Sequence, residues 1–261
     1  MIRRPIPALP SPDRPRRIRR RTRWAASAIV VLLGLAAGWA RAGPPFLTDD
    51  PVPVDLGHWE FYAASQWVWS GRAAAGTSPH FELNYGAAPG LQLHVIVPVA
   101  TAWEEGAPAR TGPGDIELGV KFGFLNEGRR RPEVGIFPLV TLPSGSEERG
   151  LGLGHAAGFL PVWLQKSFGP WTTYGGGGFR VGPGEGALVL GGLLQRKVSK
   201  RVTLGAEVYR THPLGDGPDQ TQFNAGCIVD FTERHHLLLS VGPSIGSDSR
   251  MQAYAAYQVT L

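Results

Sequence analysis

The chain has 261 residues, with 36 glycines, 23 prolines and 8 tryptophans, and only 18% of it is charged. This profile suits many strands joined by turns and argues against a helical enzyme. Ten of the 26 basic groups and one of the 21 acidic groups fall in residues 1–42; the remainder carries 16 against 20, a net of −4, which removes any basic surface for nucleic acid from the folded body.

Residues 1–42 read as a secretory signal. An arginine-rich stretch precedes an apolar run over 24–40, and Ala40-Arg41-Ala42 is a small-residue site, so cleavage is expected after Ala42. A membrane anchor is the rival reading, but the run is short for a span of roughly 20 residues. Segment 43–56 is proline-rich, carries three acids and cannot be an ordinary strand. It is expected to be a periplasmic N-terminal segment; the rival reading folds it into the mouth of the barrel.

From 57 to 261 no stretch offers 18 consecutive apolar residues, and the chain alternates instead. Phe81, Leu83 and Tyr85 oppose His80, Glu82 and Asn84. Leu91, Leu93, Val95, Val97 and Val99 oppose Gln92 and His94. In the clearest run, 115–124, Ile116, Leu118, Val120, Phe122 and Phe124 oppose Asp115, Glu117, Gly119, Lys121 and Gly123. Phe223, Ala225, Cys227, Val229 and Phe231 oppose Gln222, Asn224 and Asp230. Side chains on a strand change face at every residue, so each run has one apolar and one polar face.

The spacing predicts twelve strands, over 57–70, 78–88, 90–103, 114–125, 131–142, 156–167, 170–181, 186–197, 201–210, 220–231, 235–246 and 250–261. Most exceed the usual soluble strand of about 5–6 residues and match the roughly 9–11 needed to cross a bilayer at a tilt. Connections after even-numbered strands are tight. Those after strands 1, 3, 5 and 9 are longer and rich in Gly, Pro and charge. This is the asymmetry of bacterial barrels, with short periplasmic turns and longer outer loops. The expected fold is therefore all-β: a transmembrane antiparallel up-and-down β-barrel of about twelve strands, both termini periplasmic, in a Gram-negative outer membrane. Trp59, Phe61, Trp67, Trp69, Trp103, Trp163, Trp171 and Tyr257 lie mostly near strand ends, where the lipid–water interface favours such rings.

Two stretches carry a family resemblance. Residues 43–51, GPPFLTDDP, followed by Gly57-His58-Trp59-Glu60-Phe61, and Leu142-Pro143-Ser144-Gly145, followed by Gly150-Leu151-Gly152-Leu153-Gly154, resemble the outer-membrane transporter-like family termed "MetA-pathway of phenol degradation". The resemblance implies an outer-membrane barrel and a channel for small hydrophobic or aromatic compounds. Resembling barrels end on an aromatic residue read by the barrel assembly machinery through the last strand. Here the apolar row Ala253, Ala255, Tyr257, Val259 ends on Leu261.

The polar alternates supply the candidate site, a lumen lining that sets selectivity by its field: Glu60, Glu82, Asn84, His94, Asp115, Glu117, Lys121, Glu133, Arg180, Arg196, Glu207, Asn224 and Asp230, with Arg201 nearby. The bland reading is an ion-paired interior that plugs a narrow barrel. His58, His80 and His94 lack a tight metal-ligand spacing. His236 and Ser240 share a face but stand about 13 Å apart at 3.3 Å per residue, too far for a catalytic dyad. The glycine run 175–178 lacks the helix and lysine of a phosphate loop and suits sheet curvature or close packing. The single cysteine, Cys227, rules out an intramolecular disulfide. The sequence thus points to passive uptake of small compounds, with lipid and a solute as partners, no cofactor and no enzyme activity. A structural or plugged barrel and a lipid-acting enzyme are the rivals, followed by a secreted soluble β-protein.

Overall fold

A computed structural model describes residues 45–184, 186–246 and 249–261; the signal sequence and cleavage site expected over 1–42 lie outside the described residues. The chain forms fourteen strand segments: β1 (Trp59–Ser70), β2 (Ala73–Ala88), β3 (Leu91–Glu104), β4 (Arg110–Pro113), β5 (Ile116–Leu125), β6 (Glu133–Ile136), β7 (Leu139–Leu142), β8 (Ala157–Phe168), β9 (Trp171–Val181), β10 (Ala187–Lys197), β11 (Val202–Pro213), β12 (Gln220–Asp230), β13 (His235–Gly246) and β14 (Arg250–Thr260). All belong to one antiparallel sheet, closed by β1 against β14 from Glu60↔Thr260 to Ser70↔Arg250.

Fourteen segments make twelve barrel strands. β4 and β5 lie end to end along β3, which pairs with both. β6 and β7 lie end to end between β5 and β8. The second break falls at Phe137-Pro138, where proline has no N–H to give the ladder. Backbone bonds bridge both gaps: Gly114 N donates to Pro98 O (3.0 Å), Val120 N to Pro138 O (3.1 Å) and Phe137 N to Pro161 O (3.3 Å). The wall is continuous.

The apolar alternates face outward. Leu160, Val208 and Val241 are 58%, 48% and 52% exposed, whereas Glu117, Lys121 and Glu207 are 2%, 5% and 3% exposed. A soluble barrel would show the reverse; apolar outside and polar inside is the arrangement of a barrel in lipid. Trp59 stacks on Tyr85, with centroids 4.2 Å apart, at the rim that carries the short turns, and Trp69 and Trp103 stand outward near the other rim. Both ends of the barrel strands, at Trp59 and Thr260, lie at the short-turn rim.

Three expectations need correction. The stretch 71–77 is not a loop: Ala73–Thr77 extends β2 and pairs with both β1 and β3, leaving only Gly71 and Arg72 as the turn. Its small, weakly alternating residues hide it from a periodicity reading. Trp163 does not join the interfacial aromatics; it points inward and is 1% exposed. The interior is also not uniformly polar. Leu47, Phe137, Leu139, Phe159, Trp163, Val189 and Tyr209 form an apolar cluster inside the barrel, built around a residue from outside the sheet.

Candidate functional site

Leu47 is inside because residues 45–56 run through the lumen. Pro45, Phe46, Leu47, Thr48, Asp49 and Pro51 are buried. The segment starts against β12 and β13, where Ser240 Oγ donates to Pro45 O. It crosses the interior and reaches the short-turn rim beside β2, where Leu56 bridges to Gly86 and Gly57 N donates to Gly86 O. The segment therefore enters the barrel rather than leaving it as a tail. Proline removes donors that would otherwise need a ladder partner; Asp50 N and Val52 N donate to the segment's own Asp49 and Asp50, and three further donors are met by wall side chains. Glu207 of β11 accepts from Leu47 N (3.0 Å) and from Thr48 N, and Gln92 of β3 accepts from Val54 N (2.9 Å). On the far wall, Lys121 Nζ of β5 lies 3.0 Å from Asp49 Oδ1 and 3.5 Å from Asp50 Oδ1. Burial pushes the Asp49 carboxyl above its ordinary range, and the lysine opposes that push.

The wall makes room with glycine. A Cβ on Gly205 would lie 2.6 Å from Phe46 Cζ, one on Gly226 2.9 Å from the same atom, and one on Gly135 2.7 Å from Pro51 O. Gly191 lies under Thr48 in the same way; its Cβ would stand 3.2 Å from Thr48 Cβ. These glycines on four strands trace the path of the segment.

Beside the segment lies a cavity of about 460 Å³. On its β2–β3–β5 wall, His94 Nδ1 contacts Asn84 Oδ1 at 2.7 Å and lies 3.6 Å from Glu82 Oε1, while His94 Nε2 lies 3.4 Å from Glu117 Oε1. Asn84 Nδ2 donates to Glu82 Oε1 (2.9 Å), and the His94 ring meets Phe137 edge-on. Tyr62 OH donates to Glu60 Oε2 (2.9 Å) on the adjoining strand.

Of the thirteen predicted lining residues, Glu60, Glu82, Asn84, His94, Glu117 and Lys121 line this cavity. Glu207 and Asn224 face the lumen and are joined by a 2.6 Å hydrogen bond, on the side that holds the segment. Arg180 also points inward, toward the loop rim; it donates to Tyr209 OH (3.0 Å) and stacks over Phe159. Glu133 is half-buried at the short-turn end of β6. Asp230, likewise half-buried, meets His236 Nδ1 at 2.8 Å near the same rim. Asp115 is a loop clamp: its carboxylate accepts from Gly145 N (2.8 Å) and Leu153 N (2.6 Å). Arg196 is misplaced by one residue. Its neighbour Gln195 points inward, and Arg196 is exposed on the outer wall, over the ring of Trp171 at 5.0 Å. Arg201 is exposed and precedes β11.

His58 contacts Leu56 O, His80 contacts Thr77, and among the described residues no group of three or more His, Cys, Asp and Glu is arranged for a metal ion. Glu207 and Lys121 are expected lining residues, whereas Gln92 and the glycines beneath Phe46 and Thr48 are wall partners of the segment that the sequence reading does not name. The one available signal was glycine on the inward parity of β10, β11 and β12.

A closed twelve-strand sheet, apolar outside and polar within, defines the class of transmembrane β-barrels of the outer-membrane type. No protein-family model matches the chain, and no curated protein matches it. Solved structures do match in fold. An outer-membrane channel from Pseudomonas putida F1 superposes with a TM-score of 0.66 at 15% identity, over 81% of this chain and 98% of that one. The KdgM porin in complex with disordered oligogalacturonate gives 0.53 at 9% identity, over 75% and 98%. The translocator domain of the autotransporter NalP from Neisseria meningitidis gives 0.51 at 10% identity, over 91% and 97%. The likeness is one of fold.

Proposed function

We propose that the protein is a passive outer-membrane channel for small compounds, closed at rest by its own residues 45–56. The observation that carries this reading is the manner of closure. The segment is held by side chains from opposite walls, Glu207 and Lys121, and it leaves a cavity beside it rather than filling the barrel. The channel and porin among the fold neighbours support the same reading. In this proposal the leader is cleaved after Ala42, the short turns and both strand termini face the periplasm, and the last strand is read by the assembly machinery. The aromatic-compound preference implied by the MetA-type resemblance is supported by the rings of Phe137, Phe159 and Trp163 in the cavity wall.

The plugged-barrel reading shares the same closed geometry and differs only in whether the segment moves. The lipid-acting reading gains nothing from Ser240 and His236: the first donates to Pro45 O and the second contacts Asp230. The deciding experiment is single-channel conductance of refolded residues 43–261 carrying Thr48→Cys, Gly191→Cys and Cys227→Ser. The two Cβ positions suit a disulfide, which needs roughly 3.5–4.5 Å and so only a small shift. Oxidised protein should stay closed and reduced protein should show discrete steps. Silence in both states, with steps appearing only when residues 43–56 are removed, would establish a permanently plugged barrel.

A further inference from the structure

We infer that the cavity beside the inserted segment is a binding site for a small organic ammonium ion. The inference deepens the channel reading, on which it rests for the passage of the ligand but not for its binding.

The first observation is charge. Asp49, Asp50, Asp55, Glu60, Glu82 and Glu117 line the cavity, and Lys121 is the one Lys or Arg among the described residues that do so. That lysine is engaged by Asp49 and Asp50. His94, set between Glu82 and Glu117, adds at most one further positive charge, and His58 and His80 are the remaining basic side chains of the lining. The inward arginines Arg180 and Arg250 stand toward the loop rim, outside this lining. Glu82 is buried in this lining, and a carboxylate withdrawn from bulk water is costly without a counter-charge, so this space favours a cation.

The second observation is independent of charge. Tyr254 is 8% exposed and lines the cavity, and among the described residues its hydroxyl has no hydrogen-bond partner. A phenol that finds no protein acceptor at this depth is placed for a ligand. The surrounding wall fits an ammonium. Tyr62 stands opposite Glu82 in the β1–β2 register, Ala64 stands opposite His80 and Ala256, and the His80 and Tyr254 rings lie 6.0 Å apart. One wall therefore presents a carboxylate and two phenol rings. Aromatic faces beside a carboxylate hold organic cations through the ring quadrupole. A bare metal ion would need converging ligands, which the described residues do not provide. The volume of about 460 Å³ suits a molecule of one or two rings.

The test is isothermal calorimetry of residues 43–261 in detergent, at fixed ionic strength, with benzylammonium, benzyl alcohol, benzoate and potassium ion as separate probes. Benzylammonium should bind at least about tenfold more tightly than the other three. Glu82→Gln should weaken it about tenfold and Tyr254→Phe about threefold, as expected for losing a charged and a neutral hydrogen bond respectively. Equal binding of benzyl alcohol, or displacement by potassium at equal concentration, would overturn the proposal. If Glu82→Gln loses heat-modifiable migration, Tyr254→Phe decides, since it retains the ring. Selective binding in a protein that never conducts would leave this site standing and sink the channel reading; conductance without selective binding would do the reverse.

Discussion

Glu207 shows how one side chain can decide whether a lumen is occupied. Its carboxylate accepts two backbone N–H groups from the segment and one amide from Asn224. Hydrogen bonds to a charged group are worth about 1.5–3 kcal/mol each. Glu207→Ala should therefore cost the docked segment about 2–4 kcal/mol, with water recovering part of the loss. Chymotryptic cleavage after Phe46 should then rise by more than about tenfold, because cleavage follows the open population, while the barrel keeps its heat-modifiable migration. The polarity of Glu207 was legible in sequence as an inward alternate. Its partner was not, because the contact spans 160 residues and the segment it holds has no period. Arg196 failed for the opposite reason. It sits at the end of β10, where Gln195 and Arg196 are both polar and the alternation that assigns faces is lost.

At the scale of the element, glycine placement carries information that strand periodicity does not. Gly205 keeps its strand but lacks a side chain where Phe46 lies. Gly205→Leu should leave strand pairing intact and expel Phe46, giving open-channel steps in a bilayer without reduction or truncation. An unchanged closed state would mean that the segment is not seated where the glycines indicate. The connections at the loop rim have their own locks. Asp219, in the loop after β11, accepts from His212 and pairs with Arg210. The hydrogen bond from His212, then the charge of Arg210, holds its carboxyl below the usual range. A depressed carboxyl contributes above its unfolded value and is lost as pH falls through the lowered folded value. The 214–219 loop should therefore stay protected from hydrogen exchange down to about pH 4 and loosen only in stronger acid; His212→Ala should raise the pH at which it loosens. The two sequence stretches behind the family resemblance also acquire physical roles. The first is the inserted segment, and the second is a loop whose Gly145 and Leu153 amides are held by Asp115.

For the whole molecule, the inverted distribution of polarity made the barrel legible. Period-2 alternation and strands of 10 to 16 residues, apart from the two interrupted ones, survive any uncertainty in single boundaries. The breaks at Gly114-Asp115 and Phe137-Pro138 did not disturb the reading, because each pair of short segments still runs along the same neighbours. What a sequence does not show is what a closed wall surrounds. A chain beginning at residue 57 should fold to the same barrel, since every strand and the β1–β14 seam lie beyond that point. Its conductance in a planar bilayer should exceed that of residues 43–261. Equal conductance would mean that the segment does not obstruct the pore.

The inserted segment joins β1 directly through Leu56 and Gly57, whose φ of +79° lets the chain turn from the lumen into the wall. Release therefore never removes it. Residues 45–56 extend at most about 40 Å when fully stretched, so Pro45, once released, stays near its own berth. A tether of that length corresponds to an effective concentration in the millimolar range. The segment acts as a built-in competitor that no dilution can wash out. A solute that takes its place must either bind more tightly than the segment or arrive at comparable abundance, and each opening lasts only until the tethered end returns.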